Sequence, residues 1–510
     1  MTGLVRALDV VAVVCTVLAL AVLAVGTVGV APLTLSRAED LVVVVALVVA
    51  ARVVFAPIRL PPVPSRVLLV GGVTLYLVLM GTIVVTRHLA FRTHALDLGY
   101  YVQLVWNLAH AHGARVTLPA MHAWGDHFSP VLYLFIPLGW LVPGAVSLVL
   151  AQTAILAAGA LGVYAFTHRR LGDARVAAGM AGLYLLNPTL HGINVRDVHP
   201  AAFAVPLVVT AALAFDSRRP VWCAAALMLA LASREDAAVA GVGFAVWLAL
   251  ARRRWALGAG LALVCVAVLW ADINALMPHF RGEAYPHLKR FAYLGDSLPE
   301  VLTTIVFEPW RWLGVVLTTP KLVYVVALVA PLGFLPLLAP RAAAGALPGL
   351  AMTLLSTDPA LFNYRSQYQA FVLPFLVLAA VEGFAVFRSR VWWAARLPPA
   401  APLTAGVLVS LVLTSNTVND LGVGKWALSP HQRALYRLLA SVPPTESASV
   451  NERVVPHLAA RHEIYVYPAG MDRSEWILDR EEALAREAPR GFDVLAREHG
   501  WILMRRSLPH

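Results

Sequence analysis

Apolar runs divide residues 7–416, and most of them approach the length that crosses a bilayer, which restricts the chain to one class of fold. A helix spanning the hydrocarbon needs roughly 20 apolar residues. In lipid the backbone must satisfy its own hydrogen bonds, so helices or closed barrels are the only spanning structures. The runs are 7–30, 40–57, 66–87, 144–167, 174–190, 201–216, 220–232, 237–251, 255–277, 321–338, 342–356, 369–387 and 402–416, thirteen in all. With only 14% charged residues, the expectation is a mainly α, polytopic membrane helix bundle. The first run is longer than a signal-peptide core and lacks a small-residue cleavage site, so it reads as an uncleaved span. Cys15, Cys223 and Cys265 all lie inside apolar runs, which excludes a disulfide framework or a metal-thiolate spacing.

The net charge of +11 would suggest nucleic acid in a soluble chain, but here the arginines fall between apolar runs, where membrane orientation accounts for them. A cytoplasmic N-terminus gathers Arg52, Arg59 and Arg66, then Arg169, Arg170 and Arg175, then Arg218 and Arg219, then Arg252 to Arg254, then Arg341, and last Arg388, Arg390 and Arg396 on the inner side. Asp173 and Asp216 are almost the only acids among them. The same assignment puts the polar loops 88–128, 187–200, 233–236, 278–320 and 357–368 outside, together with the tail from about 417. The expected organisation is therefore a transmembrane domain over 1–416, with a first extracytoplasmic loop at 88–143, and an extracytoplasmic α/β module over 417–510. Residues 129–143 are apolar but short, and Pro130, Pro137 and Pro143 punctuate them, so a re-entrant or interfacial piece is expected. In the tail, helices are expected at 431–441 and after 449, short strands at 463–467 and 476–478, and a hairpin around His499-Gly500.

Five polar clusters could carry chemistry. Asp97 opens a stretch in which Leu98, Tyr101, Val105 and Leu108 share one side of a helix and Tyr100, Gln103, Asn107 and His110 the other. Asp97 there is either an N-cap or a catalytic carboxylate. Gly125-Asp126-His127-Phe128-Ser129-Pro130 offers a paired acid and imidazole, and Arg196, Asp197 and His199 hang between two spans. Asp126, His127, Asp197 and His199 together have the chemistry of a weak divalent-metal site. Ser233-Arg234-Glu235-Asp236 places three ionisable residues between two short apolar runs, where they must pair or face a water-filled cavity. Tyr364, Gln367 and Tyr368, with Trp124, are of the kind that holds a sugar ring.

In their order, Asp97-Leu-Gly, Trp106-Asn-Leu, Gly125-Asp-His-Phe-Ser-Pro, Asn187-Pro, Asp197-Val-His-Pro, Arg234-Glu-Asp, Tyr293-Leu-Gly, the Tyr364 to Pro374 stretch and Pro456-His-Leu closely resemble a widespread family of predicted prokaryotic membrane proteins of unknown function. That family is grouped with the GT-C superfamily of glycosyltransferases that use polyprenyl-phosphate sugars, and the resemblance runs from about 90 to 505. It implies residence in the cytoplasmic membrane and a GT-C-like bundle. It also implies inverting transfer of a sugar from a lipid-linked donor to a glycan, lipid or protein acceptor on the extracytoplasmic face. Asp97 occupies the place of the essential acid of the first outer loop and would be the general base. Arg234, His127 and Arg196 would bind the donor phosphate, with Asp126, Asp197, His199, Glu235 and Asp236 supporting them. Trp124, Tyr364, Gln367 and Tyr368 would bind sugar or acceptor. Two extra spans precede the loop and no Asp-x-Asp or Glu-x-Asp pair accompanies Asp97, so the resemblance carries over no metal dependence. The competing readings are a transporter or lipid flippase gated by the buried Arg234-Glu235-Asp236 tip, and an inactive scaffold that anchors the C-terminal module.

Overall fold

The computed structural model describes residues 2–30, 33–56, 63–390, 398, 400–487 and 489–507; Arg59 and Arg396, expected on the inner face, lie outside them. Four described helices are long and apolar enough to cross a membrane: Gly3–Val25, Ser65–Leu89, Ala145–Leu171 and Trp255–Arg281. Pro309–Val316 and Thr319–Leu332 meet at a 68° bend and make a fifth if taken as one span. Other runs that were expected to span fold as shorter helices, among them Pro200–Asp216, Pro220–Leu231 and Ala401–Leu413.

Local chemistry explains the shortening. The run expected at 174–190 starts where the Asp173 carboxylate accepts from the amides of Arg175 and Val176, and stops at Leu185. Asn187 then caps a new helix, Pro188–Val195, whose first position suits a residue without an N–H. The proline-punctuated 129–143 segment folds as a 3₁₀ turn, Pro130–Phe135, followed by a short helix, Ile136–Leu141. It leaves Leu134, Trp140 and Leu141 more than half exposed, as an interfacial element would. On the long helices Val13, Val70 and Leu263 are likewise more than half exposed, a surface made for lipid rather than water.

Two small hairpins, β1 (Val28–Val30) with β2 (Leu33–Leu35) and β3 (Arg115–Thr117) with β4 (Ala120–His122), sit in the loops. The C-terminal module is a five-stranded sheet of β5 (Ala448–Val450), β6 (Ile464–Val466), β7 (Trp476–Arg480), β8 (Phe492–Glu498) and β9 (Trp501–Arg506), in the order β6-β5-β7-β9-β8. β5 runs parallel to β6 and β7, while β9 is antiparallel to β7 and β8. The expected hairpin turn forms at His499 and Gly500, both at positive φ, the backbone that a two-residue connection demands. The helix Pro430–Ala440 is closed by a capping box of Ser429 and Gln432. The mainly α bundle with a small C-terminal sheet module is therefore as the sequence led us to expect.

The module is seated on the bundle. Gln432 Nε2 donates to the Ala90 carbonyl at 3.0 Å, the Tyr436 hydroxyl to the Leu89 carbonyl at 3.0 Å, and the His457 ring stacks on His88 at 4.0 Å.

Candidate active site

Asp97 is not an N-cap. It sits inside a π-helical turn, Ala95–Gly99, that runs directly into the helix Tyr100–Ala109. Such turns widen the backbone and often mark functional positions. Nor does that helix lie with one face in water: Tyr100, Tyr101, Gln103, Leu104 and Asn107 are all buried. Its polar face is turned inward because partners await it. Gln103 Nε2 donates to Thr117 Oγ1 and to the His462 carbonyl, both at 2.8 Å, and Asn107 Nδ2 to the Arg115 carbonyl at 2.6 Å. Thr117 Oγ1 also hydrogen-bonds the Ile464 carbonyl, so β6 of the module braces the helix that follows Asp97. A Cβ added at Gly99 would lie 2.9 Å from Val455 Cγ1, so a side chain there would have to push Val455 aside.

The Asp97 side chain remains 46% exposed, with an oxygen 3.3 Å from His199 Nε2. His199 Nδ1 is buried without a hydrogen-bond partner among the described residues, so Nε2 is the ring atom left to donate to Asp97. Asp197 stands beside them at φ +55°, a left-handed backbone that Asp tolerates better than most residues. Its Oδ2 accepts from the His94 amide at 3.1 Å and lies 2.8 Å from His94 Nδ1. Gln152, fully buried in the Ala145–Leu171 helix, fixes this loop from below. Its Nε2 donates to the Asp197 carbonyl at 2.8 Å and its Oε1 accepts from the His199 amide at 2.9 Å.

The electrostatics follow from these contacts. Burial alone would raise the Asp97 carboxyl; the hydrogen bond from His199 and the charges of His199, His94 and His127 outweigh it and hold Asp97 below its ordinary range. The hydrogen bond to Asp197 lifts His94 above the ordinary histidine value against the opposing effect of its partial burial.

A second cluster forms around the 233–236 tip. Arg234 is 2% exposed and pairs with Asp236, Nε to Oδ1 at 2.6 Å, and not with Glu235. Glu235 instead lies 2.9 Å from His127 Nδ1 and accepts from the Phe128 amide at 3.2 Å and the Tyr285 hydroxyl at 3.3 Å. His127 thus answers to Glu235 rather than to its neighbour Asp126, whose oxygen is 3.8 Å from Arg281. Burial and then the charge of Arg234 push His127 down to about 4, with Asp126 and Asp236 opposing them. Burial raises the Glu235 carboxyl, opposed by Arg234.

A third group was only partly foreseen. Arg196, exposed at the end of the Pro188–Val195 helix, shares a cavity of about 280 Å³ with Arg87, Arg365 and Asn363. Partial burial of the guanidinium and the charges of Arg365 and Arg87 lower Arg196, and the charge of Asp97 opposes them. Asp420, the one acid lining this cavity, is shared with Arg92 at 3.9 Å and Lys425 at 3.7 Å. Backbone proximity builds the wall: a Cβ on Gly192 would fall 2.4 Å from Arg365 Cα. Gly192→Ala is expected to cost about 1–3 kcal/mol through this overpacking. A lowered thermal midpoint of the purified protein checks it.

Of the expected residues, Asp97, Asp197 and His199 come together, and Arg196 stands beside them. The metal quartet Asp126, His127, Asp197 and His199 does not converge. Among the described residues the grouping with ligand atoms within 4.8 Å of one another is His94, Asp97 and Asp197, and a cation held through His94 Nδ1 would displace its hydrogen bond to Asp197. Trp124 is buried, packed edge-on to Phe128 at 6.0 Å, and not an open sugar platform. Tyr368 is buried too, its ring 5.4 Å from the Arg234 guanidinium and 5.2 Å from that of Arg290. Tyr364 and Gln367 stay partly exposed. Sequence reasoning missed His94, Gln152, Arg87 and Arg365; the His94-x-x-Asp97 spacing and a lone glutamine within an apolar run were the available signals for the first two.

Residues 87–496 match a family described as predicted membrane protein (DUF2079). Among solved structures, ArnT from Cupriavidus metallidurans bound to undecaprenyl phosphate superposes with a TM-score of 0.54 at 16% identity, covering 86% of this chain and 99% of that one. The apo state of the same protein gives 0.52 at 15% identity with the same coverage. At such identity the likeness speaks for the fold, and it supports the GT-C-type architecture anticipated from motif order. No curated protein matches the sequence.

Proposed function

The chain belongs to the DUF2079 family of predicted membrane proteins, and from that premise we propose that it is a glycosyltransferase drawing on a polyprenyl-phosphate sugar at the outer face of the membrane. The observation that carries this reading is the half-exposed, ionised Asp97, together with Arg196, which feels the charge of Asp97 and lines a cavity shared with Arg87 and Arg365. The acceptor hydroxyl attacks the anomeric carbon from the side opposite the phosphate, and Asp97 takes the hydroxyl proton as the new bond forms. The bond from the anomeric carbon to the phosphate oxygen breaks, and its electron pair leaves on the lipid phosphate. Arg196, Arg87 and Arg365 are placed to meet the charge that grows there, since guanidinium groups bind phosphate through paired N–H donors. Arg234 is assigned away from direct phosphate contact, because Asp236 occupies it in a buried pair. His199 orients Asp97, and His94 with Asp197 fixes the loop around it. The bound lipid of the ArnT neighbour has the chemistry this donor requires.

The test is direct binding of a polyprenyl-phosphate hexose to the purified protein. Saturable binding, competed by the sugar-free polyprenyl phosphate and weakened about tenfold by Arg365→Gln, is expected for the loss of one charge-assisted contact. Binding that is absent, or that ignores Arg365, Arg87 and Arg196 alike, removes the donor assignment.

A further inference from the structure

A second basic hollow lies at the opposite end of the bundle from Asp97. The helices Ala204–Asp216 and Ala238–Ala251 start beside His199 and Arg234 and end one helix length away, about 20 Å for 13 or 14 residues. There two tight turns, 217–219 and 252–254, stand side by side around a hollow of about 910 Å³ lined by Arg218, Arg219, Arg252, Arg253 and Arg254. Asp216 is the single acid in its wall, and it is already engaged by a bidentate bond from Arg252, Nε to Oδ1 and Nη2 to Oδ2, each 2.8 Å. Arg252 also reaches Glu382 at 2.9 Å, and Glu382 pairs in turn with Arg170 at 2.9 Å, so Arg252 is held in a chain of ion pairs.

Four charges are left over. Among the described residues, Arg218, Arg219, Arg253 and Arg254 form no ion pair, and all four are exposed. Arg218 at φ +56° and Arg253 at φ +54° occupy left-handed backbone that glycine or asparagine would take at less cost. Orientation by positive loops needs arginines on one side of the membrane; it does not need them to converge on one hollow at strained positions. Trp255 in its wall is 61% exposed, and Trp222, two positions after Pro220 of the wall, is 67% exposed; tryptophan is the residue type that settles at the level of lipid headgroups.

We propose that this hollow binds the phosphate-bearing headgroup of an anionic phospholipid, with the acyl chains running along the Trp222 and Trp255 side. The proposal rests on the bundle and its polarity, and it stands or falls independently of the transferase reading. Uncompensated guanidinium groups between helix ends have the charge and the forked donors that a phosphodiester requires.

The experiment is native mass spectrometry and thermal unfolding of the full chain in detergent, with phosphatidylglycerol, cardiolipin or phosphatidylcholine added, and with inorganic pyrophosphate as the soluble source of the same chemistry. Saturable retention and stabilisation by the anionic lipids over phosphatidylcholine is expected, weakened at least tenfold in Arg219→Gln/Arg254→Gln. Arg219→Lys/Arg254→Lys, which keeps the charge, should retain most of the binding, and Arg175→Gln at the same end but outside the hollow should leave it unchanged. Equal lipid retention in wild type and the glutamine variant overturns the site. Stabilisation by pyrophosphate at concentrations where the anionic lipids give none overturns the lipid assignment.

Discussion

Asp97→Asn is expected to lower sugar transfer by two to four orders of magnitude while leaving donor binding within about twofold of wild type, the range for removing a positioned general base. The substitution is close to isosteric, and an amide oxygen can still accept from His199 Nε2, so the loop should keep its shape. A side chain 46% exposed also makes the change cheap for folding. The pH profile adds a second reading of the same residue. His199, His94 and His127 hold the carboxyl below its ordinary value of 3.8, so the acidic limb of the rate should fall below pH 3.8. His199→Leu removes the donor to the carboxylate, so the limb should move upward. Turnover that survives Asp97→Asn, measured with a lipid-linked donor in membranes, would take Asp97 out of the mechanism.

The largest effect on stability is expected at Arg234. Arg234→Met leaves Asp236 without its partner at a tip where the arginine itself is 2% exposed, and breaking a buried pair from one side typically costs about 3–5 kcal/mol. The double variant Arg234→Met/Asp236→Leu should recover much of that loss, since it removes both charges together. Thermal midpoints of the wild type, of Arg234→Met and Asp236→Leu alone, and of the double variant give the coupling directly. Equal losses in the single and double variants would show that the stacking of Arg234 on Tyr368 and Phe371, rather than the ion pair, is what matters.

Much of this was legible in the sequence because ionic groups are rare in an apolar chain, and rarity singles them out. Asp97, Asp197 and His199 stood out in that way and meet in the fold. Partner choice was not legible. Nothing in Arg234-Glu235-Asp236 says that the arginine turns to Asp236 and the glutamate to His127, more than 100 positions earlier in the chain. Aromatic residues misled for a related reason: Trp124 and Tyr368 have the composition of a sugar platform, but only packing decides whether a ring face is open. The arginine cavity draws Arg87, Arg196 and Arg365 from three separate stretches, and no local pattern connects them. Secondary structure failed where a boundary was unusual, as in the π turn that carries Asp97 past the N-cap position.

The contacts from His462, Ile464 and Val455 to the Asp97 segment bear on biogenesis. A loop near position 100 waits for residues near 460 before it is fully braced, so most of the bundle is synthesised and inserted while that loop is still unsupported. An unfinished chain would then present its carboxylate without the surroundings that organise it, which ties competence to synthesis and folding of the C-terminal module.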